Sequence, residues 1–533
     1  MIFTPYCRTG RAVVALVVAA AVAEGLGLLR PRRAQAQPAP GAVTFLYLVG
    51  ADTIAMETVT TGDGLVKGVL TFRGQPRVEW EQQRTPLRLT LQAFVAGADA
   101  AAAPLQVASF TPRGDSIAAE LGPRGAMRPQ VFASKAGAVP LLNNSLAQAA
   151  LMARYARSLG RTTIPVFLTS GGQTLDATVT FTDDTSVFTV AGMPMRTVWA
   201  DGVPLEMQLA AQNLRVVRAA RGVPPLAPAP VDYGAPAGAP YTAEAVTIPT
   251  PRGYTLAGTL TMPHGVARAP VLVTISGSGP QDRDSRLPGI RNHAPFREIA
   301  DTLGRRGVAV LRYDDRGVGE SGGRASRDSA TSEDFADDVL AVVAYLRTRP
   351  DVDGGRIVLA GHSEGGLIAP IAAVKDPRIR AIALLAGPAI SGRKVLEYQN
   401  ENGIKSAPLT EAQRDSLRRT VPATLDSLQR TNRWMRYFIT TDPLVMARRV
   451  TQPVLVLQGD TDMQVTPEQA DTLAGALRGA GNRAVTLRRF PATNHLFLAD
   501  ASGSPTGYTA LTDTRVRADV LGALVEWTLR VTR

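Results

Sequence analysis

The sequence predicts an α/β protein: a mostly parallel sheet with helices on both faces and a helical cap, preceded by an antiparallel β-rich N-terminal domain. Three observations lead there. From about residue 244 onward, short apolar runs alternate with helix-period stretches, which is how a parallel sheet with crossover helices reads. From about Val43 to Ala220 the apolar period is mostly two, as in half-buried strands. Between them, residues 221–243 (RGVPPLAPAPVDYGAPAGAPYTA) are a Pro/Ala/Gly linker and the clearest boundary.

The chain has 533 residues, 45% hydrophobic and 20% charged, which fits a globular protein of about two to four domains. Its formal net charge is +12, and Arg8, Arg11, Arg30, Arg32 and Arg33 carry part of it. No run of five or six basic residues occurs and none is interleaved with aromatics, so the charge reads as a solvated surface and argues against a nucleic-acid partner.

Residues 1–36 read as a secretory signal. Arg8 and Arg11 precede the apolar run Ala12 to Ala23, and Ala34-Gln35-Ala36 is a small-x-small cleavage site. An uncleaved anchor is the rival, but Glu24 interrupts a stretch already short of the ~20 residues a span needs. The mature chain is expected to be exported, periplasmic or extracellular, with no stable membrane span. The single cysteine, Cys7, lies inside the signal, which rules out disulfides and Cys-ligated zinc in the mature chain.

In the N-terminal domain (43–220), Leu87 to Gln92 and Ala177 to Thr182 alternate apolar and polar. Turn pairs such as Gly171-Gly172 and Asp183-Asp184 separate such strands. One helix is expected from about Ser145 to Ser158, capped by Asn144 or Ser145. An open-faced sheet and a sandwich both fit. No repeat near 40 residues suggests a propeller. Nothing in this half carries chemistry.

The second half (244–533) opens with strand-like Ala245 to Ile248 and Thr255 to Met262, an antiparallel edge. Strands follow at Val271 to Ile275, Val308 to Leu311, Ile357 to Ala360, Ala381 to Leu385, Val454 to Leu457 and Val485 to Leu487. A helix runs from about Ser332 past Leu346, and the last places Val516, Val520, Leu524, Trp527 and Val531 on one stripe. The interval from about 388 to 450 is too long for a loop and reads as a helical cap. There Trp434, Tyr437 and Phe438 either line a substrate pocket or pack the cap down.

The chemistry centres on Gly361-His362-Ser363-Glu364-Gly365. The Ile357 strand precedes this G-x-S-x-G and an apolar helical pattern follows it, the context of a serine on a strained strand-to-helix turn. A second match, Gly319 to Gly323 around Ser321, lacks that context and reads as a glycine-rich loop. A serine hydroxyl needs a base. Of His264, His293, His362 and His495, the last follows the final strand, where a loop can reach the serine. Asp460 and Asp462, after the Val454 strand, compete as the carboxylate that orients His495, with Asp462 favoured and Asp500 held in reserve. The loop Ser276 to Asp284 can turn the Ser278 N–H toward the serine, and with the Glu364 N–H it would cradle an oxyanion. Asp314 and Asp315 read as a structural hydrogen-bonding loop.

These stretches — SGSGPQDRD at 276–284, RYDDRGVGESGG at 312–323, GHSEGG at 361–366, WMRYF and DP within 434–443, GDTDMQV at 459–465 and NHLF at 494–497 — resemble the α/β-hydrolase superfamily. In particular the region is similar to bacterial serine carboxylesterases near the dienelactone hydrolases and S9/S33-type peptidases. Ser276 departs from the His that many relatives carry before the Gly. The resemblance implies a serine hydrolase of small-molecule esters acting through an acyl-enzyme, with a lidded pocket and Asp462 as the acid. It implies no metal or organic cofactor. An aminopeptidase or acylpeptidase of the same fold, and a non-catalytic exported binding protein, are the alternatives. Substrate identity and oligomeric state stay open.

Overall fold

The computed structural model describes residues 42–533, apart from positions 51, 63, 73–76, 95–103, 105, 123–126, 171, 221–222, 224–230, 288–289, 291, 328 and 407–410. The expected signal peptide, Cys7 and most of the first half of the expected linker lie outside the described residues. Two compact units result: residues up to 230 with 408–420, and residues 231–407 with 421–533.

The first unit is built on one sheet. Its first eight strands are β1 (Val43–Val49), β2 (Asp52–Gly62), β3 (Leu65–Phe72), β4 (Arg77–Arg84), β5 (Leu87–Phe94), β6 (Gln106–Arg113), β7 (Ser116–Gly122) and β8 (Arg128–Ala133). After β9 (Val139–Leu141) comes helix α1 (Leu146–Ser158). Then follow β10 (Thr163–Leu168), β11 (Gln173–Thr182), β12 (Thr185–Val190), β13 (Met193–Ala200), β14 (Val203–Leu209) and β15 (Leu214–Arg218). The order runs from β8 back to β1, on to β15 and back to β9, so the strands form one continuous sheet, which bends until Phe167 of β10 meets Phe110 of β6 and Phe132 of β8. Neighbours are antiparallel, except that β9 runs parallel to β10. Strand residues alternate between buried and exposed, as in β3 and β7. Side chains from both halves of the sheet share one core with α1, whose N-cap is Ser145.

The second unit is an eight-stranded sheet with the order β16-β17-β19-β18-β20-β21-β22-β23. Its strands are β16 (Tyr241–Pro249), β17 (Thr255–Pro263), β18 (Ala269–Ile275), β19 (Ala309–Tyr313), β20 (Val352–His362), β21 (Ala381–Leu385), β22 (Val454–Gly459) and β23 (Val485–Phe490). The first two form the antiparallel edge and the other six run parallel. The helices after the first unit's α1 are α2 (Pro295–Gly304), α3 (Arg324–Arg327), α4 (Ser332–Thr348), α5 (Gly365–Lys375), α6 (Gly392–Ser406), α7 (Glu411–Thr431, of which residues 421–431 belong to this unit), α8 (Arg433–Thr440), α9 (Pro443–Ala447), α10 (Glu468–Gly479) and α11 (Ala518–Val531). One face of the sheet packs on α4, α5, α9 and α10, the other on α2 and α11. Each face thus buries an aliphatic layer, as expected for near-continuous apolar strands.

Two boundaries differ from the sequence reading. Strand β16 begins at Tyr241, inside the expected linker, because that ring is buried and its hydroxyl donates to Asp301 at 2.6 Å. Strand β20 begins five residues before Ile357, through polar Asp353-Gly354-Gly355-Arg356, because Val352 pairs with Ala269. Among the described residues no helix is long and apolar enough to cross a membrane.

Candidate active site

Strand β20 delivers Ser363 into a turn that few residues tolerate. Its φ is 55°, in the left-handed region, and helix α5 starts two residues later. Such strain at a non-glycine residue costs of the order of 1–3 kcal/mol and persists only where its surroundings impose it. They do so here through backbone crowding. A Cβ on Gly361 would sit 2.0 Å from the Gly365 carbonyl oxygen, and one on Gly365 would sit 2.4 Å from that of Ile275. The Ser363 N–H donates to the Leu385 carbonyl at 2.9 Å, and the Ser363 carbonyl accepts from Gly366 at 2.8 Å. Ser321, the competing serine, is buried and bonded into its own loop, accepting from the Ala257 N–H and donating to the Asp314 carbonyl.

Asp462 and His495 meet at 2.8 Å, between the carboxylate Oδ2 and the ring Nδ1. Both are buried, at 2% and 4% exposure. Asp462 is held from every side. Oδ2 also accepts from Gln458 Nε2 at 2.9 Å, and Oδ1 accepts from the backbone N–H groups of Gln464 and Val465 at 2.8 and 2.9 Å. Four donors thus converge on one buried carboxylate. Asp460 faces away and pairs with Arg489 at 2.7 Å. Asp500 accepts from Ser502 and Asn494 within its own loop.

The loop carrying His495 is pinned by Asn494, which is fully buried. Its Oδ1 accepts from the N–H groups of Leu496 and Leu498 at 3.0 and 3.1 Å. His362 adds a second hold: its Nε2 bonds the His495 carbonyl at 2.9 Å, and the two rings lie 4.8 Å apart. Burial, followed by the neighbouring His495, pushes the His362 pKa down to about 3, so the ring is neutral and Nε2–H is the donor. With Nδ1–H donated to Asp462, His495 keeps a lone pair on Nε2. His293 is buried against the Thr514 carbonyl, and His264 is exposed in the loop after β17.

The loop after β18 closes on the serine. A Cβ on Gly277 would lie 3.1 Å from the Ser363 Cβ, which puts Ser278 one residue from the nucleophile. Two bonds to Asp315 fasten the ends of this loop: Ser276 Oγ donates at 2.6 Å and the Gln281 N–H at 3.0 Å. Gln281 Nε2 in turn donates to the Ser278 carbonyl at 3.2 Å. Burial pushes the Asp315 carboxyl up to about 8, against the lowering effect of those two donors. Asp314 takes the guanidinium of buried Arg283, at 2.7 Å.

The three aromatic residues of the cap separate. Trp434 reaches the elbow, where its indole N–H donates to the Glu364 carboxylate at 2.8 Å. Phe438 stacks on Trp434, at 5.2 Å and 6°, and is buried in a small core with Leu396, Leu425 and Ile439. It packs the cap so closely that a Cβ on Gly392 would collide with its ring. Tyr437 is half-buried, with Glu333 and Lys375 among its charged neighbours. Sequence reasoning missed Gln458, Asn494 and the Glu364–Trp434 bond. Asn494 stands beside His495 in a motif already singled out, whereas Gln458 carries no signal of its own. Among the described residues no three of His, Cys, Asp and Glu converge as a metal-binding group.

Residues 287–452 match the family model described as serine aminopeptidase, S33 (Hydrolase_4). Esterase EstD of Thermotoga maritima is 28% identical over 291 residues, 52% of this chain and 66% of that protein. Thiohydrolase apmlB of Arthrinium phaeospermum is 37% identical over 90 residues, 16% of this chain and 28% of that one. The chain thus spans less than two thirds of the length of these curated relatives. Among solved structures, the Pyrococcus furiosus esterase Pf2001 aligns at 17% identity and a TM-score of 0.39, over 57% of this chain and 96% of that one. With the sheet order and the elbow in view, the family match inside this unit and the EstD alignment give the unit its similarity to the α/β-hydrolase superfamily.

Proposed function

We propose that the chain is an exported serine hydrolase that cleaves carboxylic esters through an acyl-enzyme. The observation that carries this reading is the 2.8 Å bond between Asp462 and His495, whose backbone carbonyl is bonded by His362, the residue before a serine strained to φ 55°. Ser363 Oγ attacks the ester carbonyl while His495 Nε2 accepts its proton. Asp462 holds the ring in the Nδ1–H tautomer and stabilises the imidazolium. The N–H groups of Ser278 and Glu364 stabilise the oxyanion. Collapse expels the alcohol, which takes the proton from His495. Water, deprotonated by the same ring, then releases the acid and restores the serine.

Similarity to an esterase over 291 residues supports ester substrates. A second reading, an aminopeptidase of the same fold, has the S33 family match in its favour. Incubation with p-nitrophenyl esters of graded acyl length and with aminoacyl-anilides separates the two. Ester turnover that is abolished in Ser363→Ala is the expected result. Anilide cleavage without ester cleavage would move the reading to the peptidase. Export is tested by N-terminal sequencing of protein from the producing cells, which should begin near Gln37. A chain still starting at Met1 would refute cleavage.

A further inference from the structure

We infer that the Glu364 side chain is a positioning residue that fastens the cap helix α8 to the elbow, so that the seating of the cap and placement of the Glu364 N–H are set together. The inference rests on the ester-hydrolase reading and names the residues that would govern acyl-chain selection within it.

Glu364 occupies the N-cap position of α5 yet makes no side-chain bond to that helix. Its carboxylate, in a residue 3% exposed, turns sideways. Oε1 accepts from Ser332 Oγ at 2.6 Å and from Trp434 Nε1 at 2.8 Å. Ser332 is the fully buried first residue of α4, and Trp434 is the second residue of α8. One oxygen therefore joins the starts of three helices.

The preceding residue repeats the hold. Arg433 donates to Asp334 Oδ2 and to the Ser329 carbonyl, at 2.9 and 2.8 Å. Asp334 is itself part of the capping box that starts α4. Two successive residues of α8 are thus tied to the α4–α5 corner. The Trp434–Phe438 stack carries that hold one turn along α8, to where Phe438 packs against Gly392 of α6.

Lifting α8 would take a donor from a buried carboxylate, a costly loss. Moving the Glu364 side chain to follow it would also turn the backbone whose N–H is the proposed oxyanion donor. Small misplacements of such donors are expensive in rate.

The test uses the full chain with three substitutions. Trp434→Phe removes the indole N–H and keeps an aromatic ring, Glu364→Ala removes the acceptor, and Glu364→Gln restores an acceptor oxygen without charge. Hydrogen exchange is followed over 361–368 and 432–441, and kcat and KM are measured on p-nitrophenyl acetate, butyrate and octanoate. Glu364→Ala should speed exchange in both segments and lower kcat about tenfold or more. Trp434→Phe should speed exchange in α8 and change KM more than kcat, increasingly with acyl length. Glu364→Gln should return both readouts toward wild type. Wild-type exchange in α8 for both Glu364→Ala and Trp434→Phe would overturn the inference, as would a Glu364→Gln variant as impaired as Glu364→Ala. If Glu364→Ala does not fold, Trp434→Phe decides by the same criteria. If the wild type hydrolyses none of the esters, the ester reading fails, and the exchange data still decide the fastening.

Discussion

Each unit of the molecule buries a carboxylate at the centre of a hydrogen-bond hub, and the two hubs differ in what their donors can do. In the β unit Glu57 is fully buried. It accepts from Trp80 Nε1 at 2.8 Å, Ser145 Oγ at 2.5 Å and the Tyr47 hydroxyl. The Tyr47 hydroxyl accepts in turn from the Leu146 N–H at 2.9 Å. Every partner is a strand side chain or the start of α1, so the hub clamps the helix to the sheet. In the α/β unit Asp462 takes four donors, but one is the imidazole of His495, whose backbone carbonyl is bonded by His362, the residue before strained Ser363. A buried, fully bonded carboxylate is therefore no site by itself. It becomes one where a partner can carry a proton to a group that needs it.

The largest expected effect breaks the second hub. Asp462→Asn should lower kcat by about 10⁴-fold, because a neutral amide favours the wrong imidazole tautomer. Asp460→Asn removes a surface pairing with Arg489 and should cost less than about threefold, as surface ion pairs contribute little. Steady-state kinetics of both variants check this, and a reversal of the two severities would make Asp460 the acid.

Breaking the first hub should read out as stability. Glu57→Ala strands the Tyr47, Trp80 and Ser145 donors and should cost about 3–5 kcal/mol by urea unfolding. The kcat of the molecules that stay folded should be unchanged. A folded Glu57→Ala protein without activity would show that the clamp serves catalysis, and the contrast would collapse.

The smallest effect sharpens the contrast through pH. The folded pKa of His362, about 3, lies below its unfolded value of about 6.5. The unfolded chain binds the extra proton between those values, so this contribution to stability is complete above about pH 6.5 and is lost as pH falls toward 3. At pH 5 the loss is about 2 kcal/mol, and His362→Gln should remove it. Burial raises the Glu57 pKa, with Ser145, Tyr47 and Trp80 pulling it back. The native state there holds its proton above about pH 4.5, so its contribution declines as pH rises, and Glu57→Gln should remove a slope of opposite sign. Denaturant unfolding at pH 5 and 7 of each variant against wild type measures both. Asp315 and Glu298, whose pKa values are raised to about 8 and about 7 by burial, act equally in variant and wild type and cancel in the difference. Equal slopes for His362→Gln and wild type would show that the ring is not held neutral.

Much of this was legible in the residue order, because its signals are local. Strand spacing, the apolar run before Gly361 and the helical run after Gly365 depend on neighbours along the chain, and the parallel sheet and the elbow at Ser363 follow from them. A cap for α1 at Asn144 or Ser145 is legible for the same reason, and the structure takes Ser145. What the tertiary structure alone decided is pairing across distance. Asp460 and Asp462 differ by two positions in sequence, and the turn after β22 sends one to solvent and Arg489 and the other to His495. That the β unit is one continuous sheet whose two halves share a core depended on which strands meet, and alternation does not encode that. The roles of Trp434 and Phe438 split for the same reason. Residues one helical turn apart are equivalent in periodicity, yet here one meets a buried carboxylate and the other a glycine that leaves room for its ring.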